Sequence, residues 1–236
     1  MSSLDGNLQE RLARVRERVA AACEKARRDP AGVRILAVSK TVPEEGVREA
    51  LRQCGLTDFG ENYIQEAVEK IESLRALPLQ WHCIGPVQSN KTRLVAEHFD
   101  WVQTVDRLKI AQRLSEQRPA GRAPLQICIQ VNIDGGPTKA GVAPEDAAGL
   151  ARAVAALPNL ALRGLMAIPD PAPGYPAQLA VHGRLKALFD QLRAASIVPA
   201  AQWDTLSIGM SDDLEAAVAA GSTMLRIGSA IFGPRG

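Results

Sequence analysis

The segment TLSIGMSDDLEAAVAAGSTMLRIGSAIF, residues 205–232, decides the fold. It opens on a short apolar run, TLSIGM (205–210), with too little polar alternation for a half-solvated strand. DDLEAAVAA (212–220) then has helical composition and spacing, and Ser211 stands just before it in the position of a helix N-cap. MLRIGSAIF (224–232) is a second apolar run, read as a strand that ends near a short turn. Strand, helix and strand in this order form a unit whose two strands run parallel.

The same beat recurs upstream. Strands are expected at 33–39, 57–60, 80–85, 101–105, 125–132 and 161–168. Helices are expected between them, from Pro43 to about Gln53 and over 62–76, 89–98 and 107–117, then from near Pro144 and over 177–195. Ahead of the first strand, residues 8–28 read as an extra helix with Leu12, Val15, Val19 and Cys23 on one face. Eight strands alternating with helices is the count of a (β/α)₈ barrel of the triosephosphate isomerase type. An open doubly wound sheet alternates in the same way, but no G-x-G-x-x-G follows the first strand. The most proline-rich stretch, PDPAPGYP (169–176), joins a strand to a helix within the series, so residues 1–236 are expected to form a single domain.

Composition narrows the partners. Of 236 residues, 46% are hydrophobic and 23% charged, with a formal net charge of +2. That balance points away from nucleic acid and from anionic membrane surfaces, so any bound anion must be held locally. Cys23, Cys54, Cys83 and Cys128 form no C-x-x-C pair, and His82, His98 and His182 share no ligand spacing, which argues for reduced thiols and against a metal. The charged N-terminus has no apolar leader, and no run reaches the length of a membrane span; a cytoplasmic protein is expected.

In such a barrel chemistry sits where strands end. Lys40 ends the first, VRILAVSK. Taken alone it reads as a strand-end charge reaching for solvent, yet desolvation there would also free its amine as a nucleophile. At the far end of the chain Ser211, Arg226, Gly228 and Ser229 follow strands seven and eight, where barrels often bind phosphate: two hydroxyls, a cation, and a glycine that lets the backbone approach. Closure of the barrel sets strand eight beside strand one, so an amine would face an anion cradle. A phosphorylated aldehyde uses both, and pyridoxal phosphate is the common one, although a lyase acting on a sugar phosphate would need the same pair. His82 reads as a satisfied core histidine.

Several motifs carry a resemblance. LAVSKTVP (36–43), FGENYIQEA (59–67), WHCIGPVQSNK (81–91), IQVN (129–132), GLMAIP (164–169) and above all 206–235 resemble, in order, the pyridoxal phosphate homeostasis protein family, which is related to the barrel domain of alanine racemase. The resemblance implies that Lys40 holds pyridoxal 5'-phosphate as a Schiff base, that Ser211, Gly228 and Ser229 hold its phosphate, that Arg226 faces the pyridine nitrogen, and that Asn62 lines the cofactor. A guanidinium cannot take the pyridinium proton, so the ring would be a weak electron sink. Two departures stand out: Ser229 replaces a common threonine, keeping the hydroxyl, and Gly136 occupies the place of a common glutamate, leaving open that acid's role, such as a contact with Lys139.

The resemblance implies a carrier that buffers the cofactor and hands it to apo enzymes rather than an enzyme with its own turnover. The alternative is an amino-acid racemase, which needs a second base opposite Lys40. The chain stops after its eighth strand, without the β-rich domain that supplies that tyrosine in alanine racemase-like enzymes. Tyr63 and Tyr175 match no such motif, though the loop of Tyr175 could reach the pocket. A monomer is expected, because a closed barrel leaves no sheet edge free.

Overall fold

The computed structural model describes residues 7–136 and 140–233. Eight strands close into one parallel barrel in chain order: β1 (Arg34–Val38), β2 (Asp58–Glu61), β3 (Gln80–Cys83), β4 (Trp101–Val105), β5 (Leu125–Gln130), β6 (Leu160–Met166), β7 (Thr205–Ser207) and β8 (Met224–Ile227). Between them run α2 (Glu44–Cys54), α3 (Ile64–Ser73), α4 (Thr92–His98), α5 (Leu108–Gln117), α6 (Ala147–Ala155), α7 (Gly174–Ala194) and α8 (Leu214–Ala220). The extra helix α1 (Leu8–Lys25) precedes β1, and a single turn, α9 (Ser229–Phe232), follows β8. Closure rests on the β1–β8 pair, whose register sets Leu36 against Arg226 and Ala37 against Ile227. No helix among the described residues is long and apolar enough to cross a membrane.

Each strand is buried on both faces, as helices outside and packing inside require. Outward residues such as Phe59 and Trp81 meet the helices, with ring centroids 5.7 Å apart. Inward residues fill the barrel axis: Leu36, Ile84 and Met224 cluster with Val38, and Trp101 with Cys128 and Met166. Trp101 stacks on the His82 ring at 5.0 Å and 10°, while the guanidiniums of Arg34 and Arg163 lie 5.2 and 5.3 Å from its centroid. The interior is a packed core rather than a pore. At Gly164, φ is +152°, and a Cβ would stand 1.9 Å from the Thr205 carbonyl oxygen, so β6 and β7 can meet only around a residue without a side chain.

The structure corrects several expected boundaries. Strands seven and eight end at Ser207 and Ile227, earlier than 210 and 232, and residues 229–232 are helical. The N-terminal helix stops at Lys25, with Arg27 in a left-handed conformation. The helix after β6 begins at Gly174, taking in Pro176, because a proline in the first turn forfeits no helical hydrogen bond. Ser211 is not an N-cap: α8 starts at Leu214 with Asp213 in that position.

Candidate functional site

Lys40 leaves the C-terminal end of β1 two residues past Val38. Leu36 and Val38 face the interior, whereas Ser39 points outward and donates to Glu61 Oε1 at 2.6 Å, so Lys40 falls at the inward parity. It is partly buried, and its amine makes no hydrogen bond or ion pair among the described residues. The backbone before it is pinned. Lys70 Nζ on α3 donates to the Ser39 carbonyl at 2.8 Å and to Glu61 Oε1 at 2.7 Å, in an ion pair whose carboxylate is 1% exposed. A buried pair of this kind stabilises little by itself, but removing one member strands the other, so it fixes the strand end.

Two buried oxygens at the end of β2 lack a partner, Glu61 Oε2 and Asn62 Oδ1. A buried acceptor without a donor is costly, so the end of β2 is short of donors, Glu61 on its helix side and Asn62 just beyond it. Gly85 lets the chain pass here, since a Cβ there would meet the Asn62 carbonyl at 2.2 Å.

Beside Lys40's strand lies the end of β8, and beyond it that of β7. A Cβ on Gly228 would come 3.4 Å from Val38 Cβ, so the end of β8 lies directly against the end of β1. Ser229 opens α9 and is exposed; the first N–H groups of that turn have no intrahelical acceptor. Ser211, partly buried, lies in the turn between β7 and α8. That turn is held from two sides. Asp213 Oδ1 accepts from the Met210 N–H at 2.7 Å while its Oδ2 pairs with buried His182 Nε2 at 2.9 Å. Arg18 of α1 donates to the Ser211 carbonyl at 2.9 Å and grips Glu215 through two bonds. Burial pushes the Asp213 carboxyl up, but the bonds from His182 and Met210 outweigh it and hold the carboxyl below its ordinary range.

Arg226 is buried at 4% exposure and points into the barrel, donating to the Ser207 and Ala167 carbonyls at 2.7 and 2.8 Å. Burial brings its guanidinium down to about 10, which leaves it charged near neutrality. The fold thus gathers Lys40, Asn62, Ser211, Arg226, Gly228 and Ser229 at the mouth formed by β1, β2, β7 and β8. Tyr175 lies elsewhere: it lines a groove with Arg18, Lys25 and Glu215, between α1 and α8. Tyr63 precedes α3 and is 54% exposed. Gly136 lies in the loop after β5, and its carbonyl accepts from Asn132 Nδ2; Lys139 is outside the described residues.

Glu61, Lys70, His182 and Asp213 shape the site without any sequence motif that marks them for it. Glu61 does carry a signal, as a charge ending the buried run DFGE, but nothing in the spacing says that Lys70 reaches it.

A family model described as alanine racemase, N-terminal domain, matches residues 11–236. Over 235 residues the chain is 58% identical to a Pseudomonas aeruginosa protein named pyridoxal phosphate homeostasis protein, covering all of this chain and 97% of that one. An Escherichia coli K12 protein of the same name is 51% identical and covered to 95% on both sides. Among solved structures, PipY of Synechococcus elongatus with PLP bound superposes with a TM-score of 0.77 at 36% identity, over 93% of this chain and all of that one. An alanine racemase of Clostridium difficile, 15% identical, superposes with a TM-score of 0.72 over 97% of this chain and 57% of its own length, a likeness of fold alone.

Proposed function

The chain belongs to the pyridoxal phosphate homeostasis protein family, built on the alanine racemase N-terminal barrel, and from this premise we propose that it binds pyridoxal 5'-phosphate at the mouth of β1, β7 and β8 and serves the cell as a holder of that cofactor. The observation that carries the reading is the β1–β8 register, which brings the strand bearing Lys40 against the strand bearing Arg226, Gly228 and Ser229. The residues fit the group. The Lys40 amine has no partner among the described residues, and the first N–H groups of the turn opened by the exposed Ser229 have no intrahelical acceptor to compete for an anion.

When bound, the cofactor supplies an aldehyde carbon open to an amine, an aromatic ring and a phosphate dianion. Lys40, an amine without a competing partner, is the residue we assign to the aldehyde. Ser211, Ser229 and the backbone at Gly228 orient the phosphate, and Arg18 and Asp213 hold the Ser211 turn in shape from behind. Arg226 presents N–H groups only, so it meets the ring nitrogen as a donor and leaves it without a proton. Asn62 lines the side of the site nearest Lys40.

That donor-only contact favours holding the cofactor over catalysis, because an unprotonated ring draws electrons weakly. The racemase reading also needs a second base above the ring, and Tyr175 faces the α1–α8 groove instead. We infer a non-catalytic role with hand-over to apo enzymes that use the cofactor. The free thiols, three of them buried, favour a reducing, cytoplasmic setting.

The test is borohydride reduction of the cofactor-loaded protein followed by peptide mapping. A visible absorption band is expected before reduction and a stable label on Lys40 after it, and both are lost in Lys40→Ala. A label on another lysine refutes the assignment. Exchange of amino-acid α-hydrogens in heavy water, faster than with free cofactor, would refute the carrier role.

A further inference from the structure

Inside the barrel, polar side chains from five strands form a continuous thread. Arg226 Nη1 donates to Ser207 Oγ at 2.9 Å, and Ser207 Oγ stands 2.6 Å from Gln103 Oε1. Gln103 Nε2 lies 3.0 Å from His82 Nδ1, and His82 Nε2 lies 3.2 Å from Asp58 Oδ1. Ser207, Gln103 and His82 are fully buried. The thread crosses from β8 through β7, β4 and β3 to β2, ending at Asp58, which lines a crease of about 500 Å³ at the barrel floor with Arg16, Arg34 and Thr57.

Its two ends dictate its direction. A guanidinium only donates and an ionised carboxylate only accepts. Ser207 accepts from Arg226, so its own proton goes to Gln103, and the Gln103 atom facing it must be the carbonyl oxygen. The Gln103 amide nitrogen then faces His82 and needs an acceptor, so Nδ1 is bare and the proton sits on Nε2, aimed at Asp58. Flipping any one member puts two donors or two acceptors face to face. Burial keeps the His82 ring neutral by lowering its affinity for a proton, against the pull of Asp58, and stacking on Trp101 resists its rotation.

We propose that Gln103 and His82 are positioning residues for Arg226, in a hydrogen-bond relay of one fixed polarity that runs from the cofactor's ring side to the Asp58 carboxylate on the opposite end of the barrel. The proposal rests on the reading that Arg226 meets the pyridine nitrogen. The relay and the Ala167 carbonyl engage both terminal nitrogens of Arg226, which sets the plane of the guanidinium. Its Nε–H and one Nη2–H have no partner among the described residues and remain for the mouth. A buried network of this kind behaves as a unit, because breaking one link leaves its neighbours unsatisfied.

The experiment has two arms. In the first, ¹⁵N NMR of the ring nitrogens of the protein without cofactor reads the His82 tautomer directly. A neutral ring protonated on Nε2 is expected across neutral pH; an Nδ1-protonated or doubly protonated ring overturns the relay. This arm needs no ligand, so it stands apart from whether Lys40 takes the cofactor. In the second, proteins loaded with pyridoxal phosphate are diluted into a phosphatase that destroys released cofactor, and the pH midpoint of the visible band is recorded. Gln103→Met breaks the relay at its centre, and Ser207→Ala breaks it with a single-atom excision should the first variant fold poorly. Both are expected to release cofactor about tenfold faster, as the loss of one well-made buried hydrogen bond implies, with a displaced midpoint. Cys128→Ala, in the barrel interior but outside the relay, is expected to lower stability while keeping wild-type release and midpoint. Wild-type behaviour of both relay variants, or a Cys128→Ala protein that matches them, overturns the proposal.

Discussion

At the scale of single residues, the site depends on side chains that never reach the mouth. Asp213 is the clearest: one carboxylate oxygen restrains the Met210 N–H and the other engages His182, so the turn carrying Ser211 has its shape imposed from below. Asp213→Asn keeps an acceptor but loses the charge that strengthens both bonds. Urea denaturation should report a loss of about 1–2 kcal/mol, accompanied by faster cofactor release. Of the six site residues expected from the sequence, all lie at the mouth of neighbouring strands, and the reason is physical: strand ends of a parallel barrel converge on one face whatever the loops do. From sequence Ser211 reads as a cap, because a serine before an alanine-rich helix has the composition of one, whereas Asp213, two residues on, takes that position. The relay from Arg226 to Asp58 was invisible for a different reason. Alternation along WVQTV and TLS tells which residues face inward, not which of them meet across the axis.

At the scale of elements, the sequence pattern located every strand and helix of the barrel but overran β7 and β8. Both continue as apolar residues into turns, SIGM and IGSAIF, and burial of a turn looks the same as burial of a strand when only hydrophobicity is read. Glycine marks where the strands stop in both cases. Gly164 marks something else, the contact of β6 with β7. Gly164→Ala would drive a methyl into the Thr205 carbonyl and force an alanine into a conformation that favours glycine, so we expect more than about 3 kcal/mol of destabilisation, or failure to accumulate folded protein, measured by thermal melts of purified material. The extra helix α1 has its own assignment at this scale. Arg11 donates to the Ile231 carbonyl on α9 and Arg18 to the Ser211 carbonyl, while Arg28, just past the helix end, donates to the Val218 and Ser222 carbonyls around α8. It therefore braces from outside the two short helices that flank the proposed phosphate cradle.

At the scale of the whole molecule, the displaced groups that titrate at or below neutrality act in one direction, while burial pushes the thiols up and confines their effect to the alkaline range. Burial lowers His82 from its ordinary 6.5. Asp58, Asp213 and Glu215 are also lowered, each because bonds to His82, His182 or Arg18 outweigh burial. A group with a lowered folded value binds its proton more readily when unfolded, so its contribution is complete above the unfolded value and drains away as the pH falls through the folded one. Stability should hold on the alkaline side of neutrality, begin to decline below about pH 6.5 as His82 comes into play, and fall more steeply below about pH 4 as the carboxylates follow. Denaturant midpoints against pH measure this; a midpoint that rises on acidification contradicts it. A closed barrel also presents no strand edge to a second copy, so we expect sedimentation at the 25.3 kDa of one chain.

The indole of Trp101, with an imidazole against it and two guanidiniums within reach, stops up the floor end of the barrel like a bung. Whatever occupies the proposed site therefore comes and goes by the same doorway, and a newcomer cannot push out a resident from the rear. Turnover of occupants is then first out, next in, and the rate at which a bound molecule departs should not change however much fresh ligand crowds the entrance.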